Sequence, residues 1–166
     1  MSILLLMRHG EAEAVAPGRS DLERPLTGHG RSQAEGVGEW LRSTGGQVDL
    51  VITSPALRCR MTAEALALPC PIVEEASIHN AGSDTLVQVI RERAELIAGG
   101  LTTVLLVGHA PGIPALAQDL SAYEESDPAA QARLERGWPP ATVGRLETDQ
   151  PWPELSAARL LEVRNP

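Results

Sequence analysis

Arg8 and His9 close an apolar run, Ile3 to Met7, and are followed by Gly10. A second apolar run, Thr103 to Val107, ends in Gly108 and His109, with Ala110 and Pro111 behind them. A third, Leu50 to Thr53, gives way to Ser54-Pro55-Ala56-Leu57-Arg58. Guanidinium forks bond phosphate oxygens bidentately and keep their charge at any physiological pH. Arg8, His9, Arg58 and His109 brought together would therefore form a pocket for a tetrahedral dianion. Taken singly, each has a plainer explanation, because a lone strand-end histidine is more often structural than catalytic and an arginine beside it is usually solvated or ion-paired. Occurring at three strand ends, the pattern asks for a common cause.

These residues can act together only if the fold collects them. The two histidines are about a hundred residues apart and meet only if their strands lie side by side. Open α/β sheets gather ligands at the carboxyl ends of their strands, which is where all four groups fall. The rest of the chain fits such a sheet, since apolar runs alternate with segments of helical period. Strands are expected at Ile3 to Met7, Leu50 to Thr53, Ile72 to Glu74 and Thr103 to Val107. A helix is expected from about Gly30 to Ser43, with Ala34, Val37 and Leu41 on one face. A second should open at Ser54-Pro55, a natural N-cap and first helical residue, and carry Leu57, Met61 and Leu68. A third opens at Ser83, repeats Leu86, Val89, Ile90, Leu96 and Ile97, and stops at Gly99-Gly100. Pro111 to Leu120 reads as a short helix whose free N–H groups would favour an anion beside His109. Ser121 to Pro140 reads either as a helical excursion or as a mobile flap. Val143 to Glu147 and Ala158 to Val163 read as final strands at the sheet edge, joined by a proline-containing turn over Asp149 to Glu154. The expected fold is α/β: a three-layer sandwich with a mostly parallel central sheet flanked by helices and an antiparallel strand at an edge.

Length and composition set the outer bounds. At 166 residues and 43% apolar content the chain suits one domain over 1–166 with a substantial core. A formal charge of -8 argues against a nucleic-acid surface as the main business of the protein. All basic residues are arginine and phenylalanine is absent, a bias that looks like codon usage rather than chemistry. Cys59 and Cys70 form neither a disulfide framework nor a CxxC pair, which suggests a reducing compartment. With no signal-peptide pattern and no bilayer-length apolar segment, the expected location is the cytoplasm. No HExxH, EF-hand loop or dense carboxylate and histidine grouping is present, so neither a metal nor another cofactor is expected.

Set out in order, Arg8-His9-Gly10, Leu26-Thr27 with Gly30 and Gln33-Ala34, Ser54-Pro55 with Arg58 and Thr62-Ala63, and Gly108-His109 resemble the motifs of the histidine phosphatase superfamily, also called phosphoglycerate mutase-like. The RHG triplet alone is a weak signal; four ordered motifs over most of the chain are a strong one. The short chain, the stretch DLERPLTGHG from Asp21 to Gly30, and the turn Val107 to Gly112 resemble the SixA branch of small bacterial phosphohistidine phosphatases without a large cap. The resemblance implies that His9 is the nucleophile, becomes phosphohistidine and is then hydrolysed, while Arg8, Arg58 and His109 hold the phosphoryl oxygens. Such chemistry suits the motif, because a loose phosphoryl-transfer transition state is stabilised mainly by positioning and cationic clamping. Neighbouring arginines would also favour the neutral imidazole that attack requires.

The expected weak point is a general acid. The position after the second histidine, where one branch of the family has an acid, is Ala110, and another branch takes a glutamate after the third strand. Here that segment offers Glu74 and Glu75, while Glu11, next to the RHG triplet, competes on position alone and His79 is a further candidate. The bland reading of all four is a surface or loop role. An alkoxide leaving group needs a proton and an imidazole needs one far less, which tilts the reading toward a phosphohistidine in a protein. The alternatives are a phosphatase of small-molecule phosphate monoesters and a non-catalytic module that binds a phosphorylated partner. A mutase is disfavoured by the short chain and the unclear acid.

Overall fold

The computed structural model describes residues 1–44, 46–96 and 100–166. Six strands form one sheet: β1 (Ser2–Arg8), β2 (Leu50–Thr53), β3 (Ile72–Glu74), β4 (Thr103–Gly108), β5 (Val143–Thr148) and β6 (Arg159–Arg164), in the order β3-β2-β4-β1-β5-β6. The first four are mutually parallel, and β5 runs antiparallel to β1 and to β6. The antiparallel pair therefore lies at one side of the sheet with β6 alone on the edge, while β5 sits inside against β1. The expected strand positions hold to within a residue or so at their ends.

Central parallel strands must be apolar on both faces, and β1 shows why its sequence has no alternation. Leu4 and Leu6 enter one core, with residues of α3 (Ser83–Leu96), α4 (Gly112–Leu120) and α5 (Pro128–Arg136). Leu5 and Met7 enter the other, with α1 (Gly28–Ser43) and α2 (Leu57–Ala65). The result is the three-layer α/β sandwich expected from the residue pattern.

Several local expectations are corrected. α1 starts earlier than Gly30, because the Thr27 hydroxyl accepts from the Gly30 amide at 2.9 Å and caps the helix two residues upstream. Ser54 is not the cap of α2: the helix begins at Leu57 with Ala56 at its N-cap and no side-chain cap bond, and it ends before Leu68. Ser54 instead sits in the preceding turn, where its hydroxyl accepts from the Ala56 amide at 3.2 Å and meets His109. α3 opens at Ser83 as expected and is described to Leu96; Ile97 and the Gly99 of the expected stop lie outside the described residues. The 121–140 segment takes the helical option. Asp127 caps α5 by accepting from the Ala130 amide at 2.9 Å, and Ala130, Leu134 and Trp138 are buried in the core. No helix among the described residues is long and apolar enough to cross a membrane.

Candidate active site

The parallel pairing of β1 with β4 sets Arg8 opposite Gly108, and the ladder continues one step further as the His9 amide donates to the Gly108 carbonyl at 3.0 Å. β2 flanks β4 on the other side, and its continuation amide, Ser54 N–H, donates to the Val107 carbonyl at 3.2 Å. Three neighbouring strands thus end level with one another. His9 and His109 stand with ring centroids 5.5 Å apart in an edge-to-face arrangement. Arg58, on the first turn of α2, reaches both: its Nε donates to His9 Nε2 at 3.3 Å and its NH2 lies 3.2 Å from His109 Nδ1.

Hydrogen bonds fix the protons on both rings. His9 Nδ1 lies 2.7 Å from the Gly10 carbonyl oxygen, which can only accept, so Nδ1 carries the proton and Nε2 presents its lone pair. In His109, Nδ1 accepts from Arg58, so Nε2 carries the proton and donates to Ser54 Oγ at 2.8 Å. The neutral state follows from the surroundings. Burial, reinforced by the charges of Arg58, Arg8 and Arg24 against the bond to Gly10, pushes His9 down to about 4. Burial, then Arg58, pushes His109 down to about 3. Repulsion by arginines is the cause expected from the residues; loss of solvent is the larger one.

The Gly10 end of this bond is supported in turn. The Gly10 amide donates to Thr62 Oγ1 at 3.1 Å, and the same hydroxyl donates back to the Arg58 carbonyl at 2.7 Å, tying the His9 loop to α2. Gly10 and Gly30 let that loop lie against α1: a methyl on Gly30 would stand 2.0 Å from the Glu11 carbonyl oxygen, and one on Gly10 would stand 2.5 Å from the Gly30 carbonyl. Gln33 holds the Glu11 amide at 2.9 Å. The Leu26-to-Ala34 motif is therefore the backing of the loop rather than part of its chemistry. Arg8 is oriented from the far side, where NH1 donates to the Trp138 carbonyl at 2.9 Å while its Nε is buried without a partner among the described residues.

Of the expected acids, the three glutamates are not brought into this group. Glu74 pairs with Arg60 at 2.9 Å. Glu75 is engaged by Arg93 and by Ser77, which hold its carboxyl below the usual carboxylate range, so it carries no proton to give near neutrality. Glu11 accepts from Thr27 Oγ1 at 2.8 Å and is exposed. The anion-directed N-terminus expected for α4 is partly spent, since the Ile113 amide donates to the His109 carbonyl at 2.9 Å.

Asp21 reaches the site although residue spacing does not place it there, and His79, the further acid candidate, reaches it too. Asp21 Oδ2 lies 3.0 Å from Arg58 NH2, and the Asp21 carbonyl accepts from Arg58 NH1 at 2.7 Å. His79 packs edge-on to His109 at 5.2 Å, with Nε2 3.8 Å from Asp21 Oδ2. In the sequence Asp21 is only one letter of DLERPLTGHG, and nothing in its neighbourhood points to a partner 37 residues away. Among the described residues no group of three His, Cys, Asp or Glu side chains is placed to hold a metal ion.

The arrangement can bind a tetrahedral anion through two guanidiniums and attack it with a neutral imidazole. Comparison with known proteins agrees with the geometry. The family described as the histidine phosphatase superfamily (branch 1) matches residues 4–82. An uncharacterized protein of Mycobacterium tuberculosis is 30% identical over 149 residues, covering 90% of this chain and 91% of the relative. The phosphohistidine phosphatase SixA of Escherichia coli is 30% identical over 121 residues, covering 70% of this chain and 73% of the relative. Among solved structures, one assigned to a phosphohistidine phosphatase SixA from Nakamurella multipartitia superimposes with a TM-score of 0.86 at 31% identity, covering 99% of this chain and 96% of that one.

Proposed function

The chain belongs to the histidine phosphatase superfamily, in its SixA-type branch, and is a phosphatase; from that premise we propose that it removes phosphate from phosphohistidine on a protein through a covalent intermediate on His9. The observation that carries this reading is the tautomer of His9. A proton held on Nδ1 by the Gly10 carbonyl leaves the Nε2 lone pair facing the Arg58 guanidinium, which is where an incoming phosphoryl group would be held.

In the first step a substrate oxyanion takes over the Arg58 Nε–H, freeing the His9 lone pair to form a bond to phosphorus as the bond to the leaving group breaks. Arg8 and Arg58 carry the charge on the equatorial oxygens, while His109, expected to join them, has Nδ1 on Arg58 and its Nε2–H on Ser54 and so steadies the Arg58 guanidinium. The phosphorylated His9 keeps its Nδ1 proton against Gly10; water then attacks phosphorus, the P–Nε2 bond breaks with its electron pair returning to Nε2, and phosphate leaves with the two protons of the water.

Phosphohistidine is favoured over an alkyl ester because Glu74 and Glu75 are bound to arginines and Glu11 to Thr27, so none of the three expected glutamates is free to serve the leaving group. An imidazole departs without such help. Small phosphate monoesters with good leaving groups remain a second class of substrate on the same argument.

Incubation with a labelled phosphodonor and a rapid quench should leave phosphate that is acid-labile and alkali-stable on His9, and His9→Ala should abolish both the label and turnover. Normal turnover in that variant would refute the mechanism. Side-by-side rates on a phosphohistidine peptide, an aryl phosphate and small phosphate esters decide the substrate class.

A further inference from the structure

We propose that the Asp21 carboxylate is a specificity-determining group that accepts a hydrogen bond from the distal N–H of the substrate's leaving imidazole. The inference rests on the reading of the substrate as phosphohistidine and adds to it the residue that would select that leaving group.

A carboxylate is an odd neighbour for a pocket that must take a dianion, because like charges at contact distance oppose each other. Yet Asp21 is held there from both sides. Oδ1 accepts from Arg24 NH1 at 2.9 Å and Oδ2 from Arg58 NH2 at 3.0 Å, while its backbone carbonyl takes Arg58 NH1 at 2.7 Å. The carboxyl is still 46% exposed, so it can meet a substrate from the solvent side. The groups that face it are Arg24, Arg58 and His79. The two arginines keep its carboxyl below the usual carboxylate range, which makes it a poor proton donor to an alkoxide. An ionised carboxylate at the mouth of a phosphate clamp selects a leaving group that carries an N–H or a positive charge.

Phosphohistidine is such a substrate. With one ring nitrogen bonded to phosphorus and the other protonated, its ring is cationic. When His9 Nε2 forms its bond to phosphorus, the P–N bond breaks, its electron pair goes to the departing nitrogen, and a neutral imidazole leaves that still holds the distal proton. No proton has to be delivered at the breaking bond. Asp21 would do for the departing ring what the Gly10 carbonyl does for the arriving one, holding an N–H so that the opposite nitrogen handles phosphorus. Phosphate esters lack this donor and meet only the repulsion.

The test is Asp21→Asn, which keeps the backbone anchor of Arg58, assayed on a phosphohistidine peptide and on an aryl phosphate. The expected result is crossed: kcat/KM on the peptide falls about tenfold or more, the scale of one charge-assisted hydrogen bond, while kcat/KM on the aryl phosphate rises. Asp21→Glu should recover part of the lost ratio. Equal rises on both substrates would make Asp21 only a plug on Arg58, and equal falls would make it only a prop for that guanidinium; either overturns the inference. A wild-type enzyme that phosphorylates His9 from the aryl phosphate but shows no preference for the peptide overturns the functional reading itself, whereas a preference that Asp21→Asn leaves intact overturns this inference alone.

Discussion

At the scale of single residues the decisive fact is that His9 is a buried, neutral imidazole with a fixed tautomer. Its proton affinity makes this measurable. With a folded value of about 4 against 6.5 for a free imidazole, the unfolded chain binds a proton between those limits that the folded chain refuses. Stability is therefore unaffected by this group above pH 6.5, falls as the pH drops toward 4, and levels off below it. The loss amounts to about 3 kcal/mol for His9. His109, pushed to about 3, acts in the same direction over a window that extends lower. Urea unfolding midpoints followed from pH 7 to pH 4 should decline in the wild type and decline less steeply in His9→Gln. A histidine resonance of His9 titrating near 6.5 would contradict both the burial and the tautomer argument.

Between the residue and the whole lies the loop from Gly10 to Thr27, whose contact with α1 and α2 sets where His9 points. The close approach of Gly30 to the Glu11 carbonyl leaves no room for a methyl group. Gly30→Ala should destabilise the protein by about 2 kcal/mol, the usual scale of overpacking, and lower kcat by shifting the loop that carries His9. Gly36, on the exposed side of the same helix, is the control, because a methyl group there would meet nothing within 4 Å. Gly36→Ala should leave turnover alone and raise stability by about 0.5 to 1 kcal/mol, since it only reduces the backbone freedom of the unfolded chain. Chemical denaturation with parallel kinetics on both variants checks the pair. At this scale the residue pattern reads Ser54-Pro55 as a helix start. That local signature loses to a long-range partner: the hydroxyl engages His109, 55 residues away, and the helix begins three residues later at Leu57.

Across the whole molecule, function depends on the sheet order, which lays β2, β4 and β1 next to one another so that Arg58, His109, His9 and Arg8 share one edge. A site assembled from such distant segments should couple ligand binding to global stability. Inorganic phosphate at a hundred times its Kd should raise Tm by about 5 to 10 °C in a chain of this size. Arg58→Ala should lose most of that rise, while a substitution at exposed Arg31, which pairs with Glu35 on the outside of α1, should keep it. Thermal scans with and without phosphate measure this directly. An equal phosphate shift in all three proteins would place the anion elsewhere.

Much of this is legible in the residues themselves. Apolar runs buried on both faces, helix-period segments between them and polar groups at strand ends have local causes, so the α/β class, the strands and the Arg8, His9, Arg58 and His109 set can be read from residue order alone. Pairings across the chain have no local cause. That Arg58 turns to both histidines, that Glu74 and Glu75 are taken by Arg60 and Arg93, and that Asp21 closes over Arg58 follow from which surfaces the packed layers bring into contact. The sequence determined which groups could do the chemistry, because residue type and backbone period fix charge and strand-end position. Only the tertiary structure decided which carboxylate meets Arg58, because a side chain's partner depends on distance in space rather than along the chain.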